Sequence, residues 1–257
     1  MTKRTSPIIV GNWKTTPANL NQAIKFIKAI DKKYSSKKNK MPKKGFYLAV
    51  PEIFISEISK ECVHGYVGSQ NVSGVSIGQT TGTTIPSQLL SAGATFTLIG
   101  HSEVRAQGET ADQRSHKVAL SLQSKLLTIL CVGEHKRDKE GKYLSELEED
   151  VRKSLSLVSR NNFNNLIIAY EPVWAIGGDT PATTHECFEV VIAIRRALAS
   201  LVGIDYAKKV HVLYGGTVTK ENALSFIQEG GVDGLLIGRA SQDVVSFMEI
   251  ISSCYGA

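Results

Sequence analysis

Asn165-Leu166-Ile167-Ile168-Ala169-Tyr170-Glu171 is a continuous apolar run closed by a carboxylate. The run is short for a buried helix and lacks the polar-apolar alternation of a strand with one wet face. It reads as a parallel strand covered by helices, where both faces are apolar. Beyond a turn, Val190, Ile194, Leu198 and Leu201 recur at helical spacing, with Arg195 and Arg196 assigned to the outside. A helix therefore follows the strand.

The same unit recurs in both directions. Apolar runs occupy 7–14, 46–51, 65–71, 95–102, 126–134, 165–171, 210–216 and 234–238. Between them, Leu20, Ile24, Ile27 and Ile30 share one helical face, and Leu144, Leu147, Val151, Leu155 and Val158 predict an acidic helix over 143–159. Strand then helix, eight times with right-handed crossovers, closes into a barrel of about 250 residues. At 257 residues the chain fits one such unit. The expected fold is α/β, a single (β/α)8 barrel with parallel strands, in one domain over 1–257. An open doubly wound sheet would carry a Gly-rich GxGxxG turn after its first strand. Here the first run ends in Asn12-Trp13-Lys14 instead.

Apolar residues make up 42% and charged residues 21%, a soluble balance able to bury a sizeable core. Met1 to Pro7 is polar, unlike a signal peptide, and no run approaches the roughly 18 apolar residues of a membrane span. A cytoplasmic protein without membrane association is expected. Much of the net charge of +6 comes from Lys32, Lys33, Lys37, Lys38, Lys40, Lys43 and Lys44. Clustered lysines attract phosphate backbones. This cluster is broken by Ser, Asn, Pro and Gly, so it reads as a solvated connection and no nucleic-acid partner is expected. Cys62, Cys131, Cys187 and Cys254 form no CxxC pair and no metal spacing with histidine. Cys131 lies in an apolar run, where a buried inert thiol is expected.

In a barrel of this kind, side chains at the C-terminal strand ends converge on one rim. The polar residues there are Asn12 and Lys14, His101 and Glu103, Glu134, Glu171, Gly215-Gly216-Thr217 and Gly238-Arg239. Singly, each has an ordinary reading: a surface ion pair for the Glu, a satisfied core residue for the His, a solvated Lys, a tight Gly-Gly turn. Together they make a set for proton transfer and phosphate binding, with no metal ligands and no organic cofactor.

Five stretches in order resemble the triosephosphate isomerase family, each at a strand end. They are Gly11–Lys14, Ile99–Glu103, Ala169–Gly177, Tyr214–Val218 and Asp233–Ser241. The resemblance covers the chain from end to end. It implies a TIM barrel that interconverts dihydroxyacetone phosphate and glyceraldehyde 3-phosphate in glycolysis and gluconeogenesis. It further implies Glu171 as the base, His101 as a neutral electrophile and Lys14 as a fixed cation, all catalytic. Asn12, Lys14, Gly177, Thr217, Gly238 and Arg239 would bind substrate, Glu103 would support the site, and Pro172 to Thr183 would close over it as a lid. Apolar Val173, Trp174, Ala175 and Ile176 would keep water from the base.

The chain departs from the family pattern in four places. Asp179 stands in the lid near a position usually held by Gly, and is expected to face solvent. Gly238-Arg239 replaces a frequent Gly-Gly pair. If Arg239 keeps an ordinary backbone conformation, its N–H can still bind phosphate, and exchanging it for Gly should change affinity little. The segment 70–89 corresponds to a protruding dimer loop, but Thr83 replaces a frequent Glu and Val104 a frequent Arg. Since these two can pair, their joint loss leaves no buried charge alone. A homodimer through 70–89, with an altered contact, is expected. Two rivals remain open: a pentose-phosphate epimerase, which would need His and Asp metal ligands at several strand ends, and a non-catalytic barrel, which would be expected to have lost Glu171, His101 or Lys14.

Overall fold

A computed structural model describes residues 6–36, 41–78, 80–176 and 180–256. Its strands are β1 (Ile8–Asn12), β2 (Phe46–Val50), β3 (Gly65–Ser69), β4 (Phe96–Ile99), β5 (Leu127–Val132), β6 (Leu166–Tyr170), β7 (His211–Tyr214) and β8 (Gly234–Ile237). They close into a parallel barrel in chain order, β8 returning to β1 with Ile237 beside Gly11. Each strand lies inside one of the eight expected apolar runs.

Local chemistry sets the helix boundaries. Asn19 caps helix Leu20–Ser35 by accepting from the Gln22 N–H, and Ala23, Ile27 and Ile30 form its buried face. Thr183 and Glu186 form a reciprocal capping box at the start of helix Thr184–Val202. The helix expected over 143–159 instead runs Lys142–Ser154. Leu155 leaves helical geometry and the Val158 N–H bonds back to the Leu155 carbonyl at 3.0 Å. Both side chains still pack on the core, so apolar spacing continues where the helix does not. Arg195 also differs from expectation. It folds back to donate to the Ala207 carbonyl (2.8 Å), the Val210 carbonyl and Asp233 (3.1 Å).

Two apolar cores result. One lies between strands and helices. The other is drawn from one face of the strands: Val10, Ala49, Phe96, Leu98, Ile129, Cys131, Ile167, Ala169, Leu213 and Leu236. Truncating one of its large members to Ala would cost about 2–5 kcal/mol, because neighbours on both sides are fixed by the closed sheet.

This inner face positions the rim. Side chains alternate along a strand, so the next inward position after Val10 is Asn12, and after Ile167 and Ala169 it is Glu171. Strand β4 breaks the rule. Phe96 and Leu98 point inward, and continued alternation would aim residue 100, not His101, at the axis. Gly100 adopts φ +77°, which turns the chain and brings His101 to the interior. A Cβ at Gly100 would lie 2.7 Å from Arg114 Cδ and 2.9 Å from the Cys131 carbonyl, so both backbone hand and space select glycine.

Candidate active site

Glu171 follows β6 and is 1% exposed. Its backbone N–H bonds the Val132 carbonyl at 2.7 Å, and its Oε2 accepts from the Ser102 N–H at 2.8 Å. Gly133 permits this seat: a Cβ there would sit 1.7 Å from the Glu171 carbonyl oxygen. Cys131 packs beneath the carboxylate. Burial, then the nearby Glu171 charge, holds its thiol well above the usual range. All four cysteines are free and buried. A protonated, enclosed thiol is a poor nucleophile, as expected for Cys131.

His101 caps the short helix Ser102–Arg105, with Nδ1 accepting from the Glu103 N–H at 3.2 Å. An N–H can only donate, so Nδ1 carries no proton and the ring is neutral, with its proton on Nε2. Nε2 lies 3.2 Å from Glu171 Oε1. Carboxylate and imidazole face one another where a small molecule would displace their direct contact.

Lys14 enters from β1 with φ +54°, unusual for a side-chain-bearing residue. Its N–H donates to Asn12 Oδ1 (3.0 Å), and Gln70 Nε2 donates to its carbonyl (2.6 Å). These two bonds hold the backbone in that conformation. The ammonium pairs with Glu103 Oε1, matching the supporting place expected of Glu103.

A cavity of about 420 Å³ joins these groups to the two glycine turns. Asn12, Lys14, His101 and Glu171 line it together with Gly215-Gly216-Thr217 and Gly238-Arg239. Gly215 passes so close that a Cβ would sit 3.1 Å from Glu171 Cγ. Ser241 pins the β8 turn by donating to the carbonyls of Gly238 (2.7 Å) and Asn12 (3.1 Å). Arg239 opens the turn Arg239–Gln242 without a positive φ, the relaxed conformation expected for it. Gly177 and Asp179, assigned to substrate binding and to the lid, lie outside the described residues.

The segment directly after Glu171 is anchored differently from expectation. Trp174 does not shield the base. It is 38% exposed and its indole N–H donates to Glu134 Oε1 at 2.8 Å. Glu134 also accepts from the Tyr170 hydroxyl (2.9 Å) and Arg137 Nε (3.0 Å). Ile176 reaches the cavity, while Cys131, Gly133, Ser102 and Gly215 enclose Glu171. Thr217 ties the segment to the turn after β7 by donating to the Ala175 carbonyl at 3.0 Å. Ser102, Gln70 and Gly133 join the site without a sequence signal of their own. They act on backbone groups or through lack of a side chain, which residue type alone does not disclose. Among the described residues no three His, Cys, Asp or Glu are grouped to hold a metal.

A closed parallel barrel with a buried carboxylate, a neutral imidazole and an ammonium around one rim cavity defines a proton-transferring sugar-phosphate isomerase of the barrel class. The family model for triosephosphate isomerase matches residues 7–254. The chain is 34% identical over 252 residues to the triosephosphate isomerase of Caldanaerobacter subterraneus subsp. tengcongensis, covering 96% of this chain and 98% of that one. It is 32% identical over 248 residues to the Coprinopsis cinerea enzyme, covering 95% and 96%. The crystal structure of triosephosphate isomerase from Bartonella henselae superposes with a TM-score of 0.82 at 30% identity, covering 97% of this chain and 99% of that one. The chain belongs to the triosephosphate isomerase family.

Proposed function

We propose that Glu171, His101 and Lys14 carry out the family's reaction here, interconverting dihydroxyacetone phosphate and D-glyceraldehyde 3-phosphate. The observation that carries this is the 3.2 Å approach of Glu171 Oε1 to the protonated nitrogen of a neutral His101 in a cavity shared with two glycine turns.

Glu171 takes a proton from the carbon beside the carbonyl, while His101 Nε2–H donates to the carbonyl oxygen as negative charge develops there. The enediolate collapses when the proton returns to the adjacent carbon. The Ser102 N–H holds the carboxylate beside the ring until substrate enters. Lys14 places its ammonium at the substrate oxygens, and Asn12 fixes the Lys14 backbone. Thr217, Gly238 and Arg239 receive the phosphate through the backbone turns, where glycine allows close approach. The lid from Pro172 to Thr183 keeps water from the intermediate.

The enzyme acts as a cytoplasmic homodimer through residues 70–89. Ile77 is 88% exposed in the single chain, a large apolar side chain that a partner would cover. Thr83 and Val104 leave that contact without a charge pair. Sedimentation at assay concentration should show a dimer; fully active monomer would refute it. A coupled assay supplied with glyceraldehyde 3-phosphate tests the reaction. Conversion should survive a chelator, whereas loss of activity with chelator would favour a metal-dependent epimerase, and no conversion a non-catalytic barrel.

A further inference from the structure

We infer that the Arg239 guanidinium, and not only its backbone N–H, is a specificity-determining partner for the substrate's phosphate. This rests on reading the β7 and β8 turns as the phosphate subsite. The resemblance frequently has glycine at this position, where this chain carries a cationic side chain.

Arg239 lines the cavity beside Lys14, Thr217 and Gly238. It is exposed, and no carboxylate of the described residues pairs with it. Its backbone is unstrained, so the arginine needs no compensation elsewhere. The charge of the cavity makes its presence consequential. Two carboxylates line it, Glu171 and Asp243. The Ser246 N–H and hydroxyl hold the Asp243 carboxyl below its ordinary range, so it is charged at neutral pH. Against these stands Lys14, whose ammonium is already paired with Glu103. Without Arg239 the lining would carry more negative than positive charge, an adverse setting for a dianion. With Arg239 the lining carries two charges of each sign, the Lys14 charge being shared with Glu103.

Arg239 is exposed whereas Glu171 is buried, so it acts on capture and grip. An exposed arginine attracts a dianion over roughly the Debye length, about 8 Å at physiological salt, and offers paired N–H donors on arrival. Lysine supplies the charge without the fork.

The test compares Arg239→Gln, Arg239→Gly and Arg239→Lys with the unaltered enzyme. The readouts are steady-state kinetics on glyceraldehyde 3-phosphate, competitive inhibition by inorganic phosphate, and a salt series. KM should rise about tenfold in the Gln and Gly variants, the loss of one charge-assisted contact, with kcat within about twofold. Inhibition by inorganic phosphate should weaken by the same factor, Lys should recover most of both, and the difference should shrink as salt rises. Unchanged KM and phosphate inhibition in Gln and Gly would overturn the inference and leave the backbone role expected from the sequence. If inorganic phosphate failed to compete even in the unaltered enzyme, the phosphate reading of the two turns would fall as well. The base assignment is checked apart, by Glu171→Gln.

Discussion

In the cavity wall, Glu171 and His101 are buried side chains held by the N–H groups of Ser102 and Glu103. Beside them the glycine turns present backbone, and Arg239 is exposed. The first set is made of specific groups at fixed distances, and the second of backbone shape and one exposed cation. Proton transfer depends steeply on position, whereas a dianion is held by any well-spaced set of donors. On the proposed function, substitutions in the first set should act on turnover, and those in the second on binding.

The strongest test is at Glu171. Glu171→Gln removes the base and should lower kcat about 10³–10⁴-fold. Glu171→Asp merely withdraws it and should lower kcat about a hundredfold with KM little changed. A variant that lost only affinity would dissolve the contrast between the two sets of residues. Next comes Gly216→Ala, where the new Cβ would lie 2.2 Å from the Tyr214 hydroxyl. The turn must shift, so KM should rise about tenfold while kcat falls less, in keeping with a lost positioning contact.

Beneath the glycine turns, Asp233 clamps β7 and β8 by accepting from the Val212 N–H (2.8 Å) and Arg195 (3.1 Å). Burial alone would raise its carboxyl, but His211, the Val212 N–H and Arg195 together hold it low. A carboxyl with a lowered folded pKa stabilises the fold above its unfolded value and loses that effect as pH falls through the folded one. Asp233→Asn should therefore cost about 1–3 kcal/mol at neutral pH by urea unfolding. The deficit should begin to shrink near the ordinary carboxyl value of 3.8 and vanish beneath the lowered folded one. A constant deficit down to acid pH would rule out the charge as its cause. The smallest effect is expected at Trp174→Phe, which deletes the indole donor to Glu134. Turnover should change only a few-fold, because the bond sits at the lid's root outside the cavity.

What the amino-acid sequence discloses follows the same division. Continuous apolar runs name buried parallel strands because both faces must be covered, so all eight strands and their closure are legible. Glu171, His101 and Lys14 stand out as polar residues ending apolar runs. The helix end at Ser154 is not legible, since Leu155 and Val158 keep burying apolar surface after the backbone has left helical form. Arg195 misleads because a cation on the outer side of a helix reads as solvated, while three acceptors await it. Trp174 misleads because adjacency in sequence to Glu171 suggests that it dries the base. Strand-end geometry turns it to Glu134 instead. Backbone donors such as the Ser102 N–H leave no mark in residue type.

Gly100 has a consequence for anyone moving this site to another scaffold. Along β4 the odd and even residues swap layers at that point, so the histidine reaches the axis through an inverted peptide, not through its place in the strand's count. Transplanting the imidazole with its flanking apolar residues but with alanine at the preceding position would deliver the ring to the outer layer, against helices. The portable unit is therefore the glycine and histidine together, with a recipient strand that leaves a hollow where Arg114 and the Cys131 carbonyl stand here.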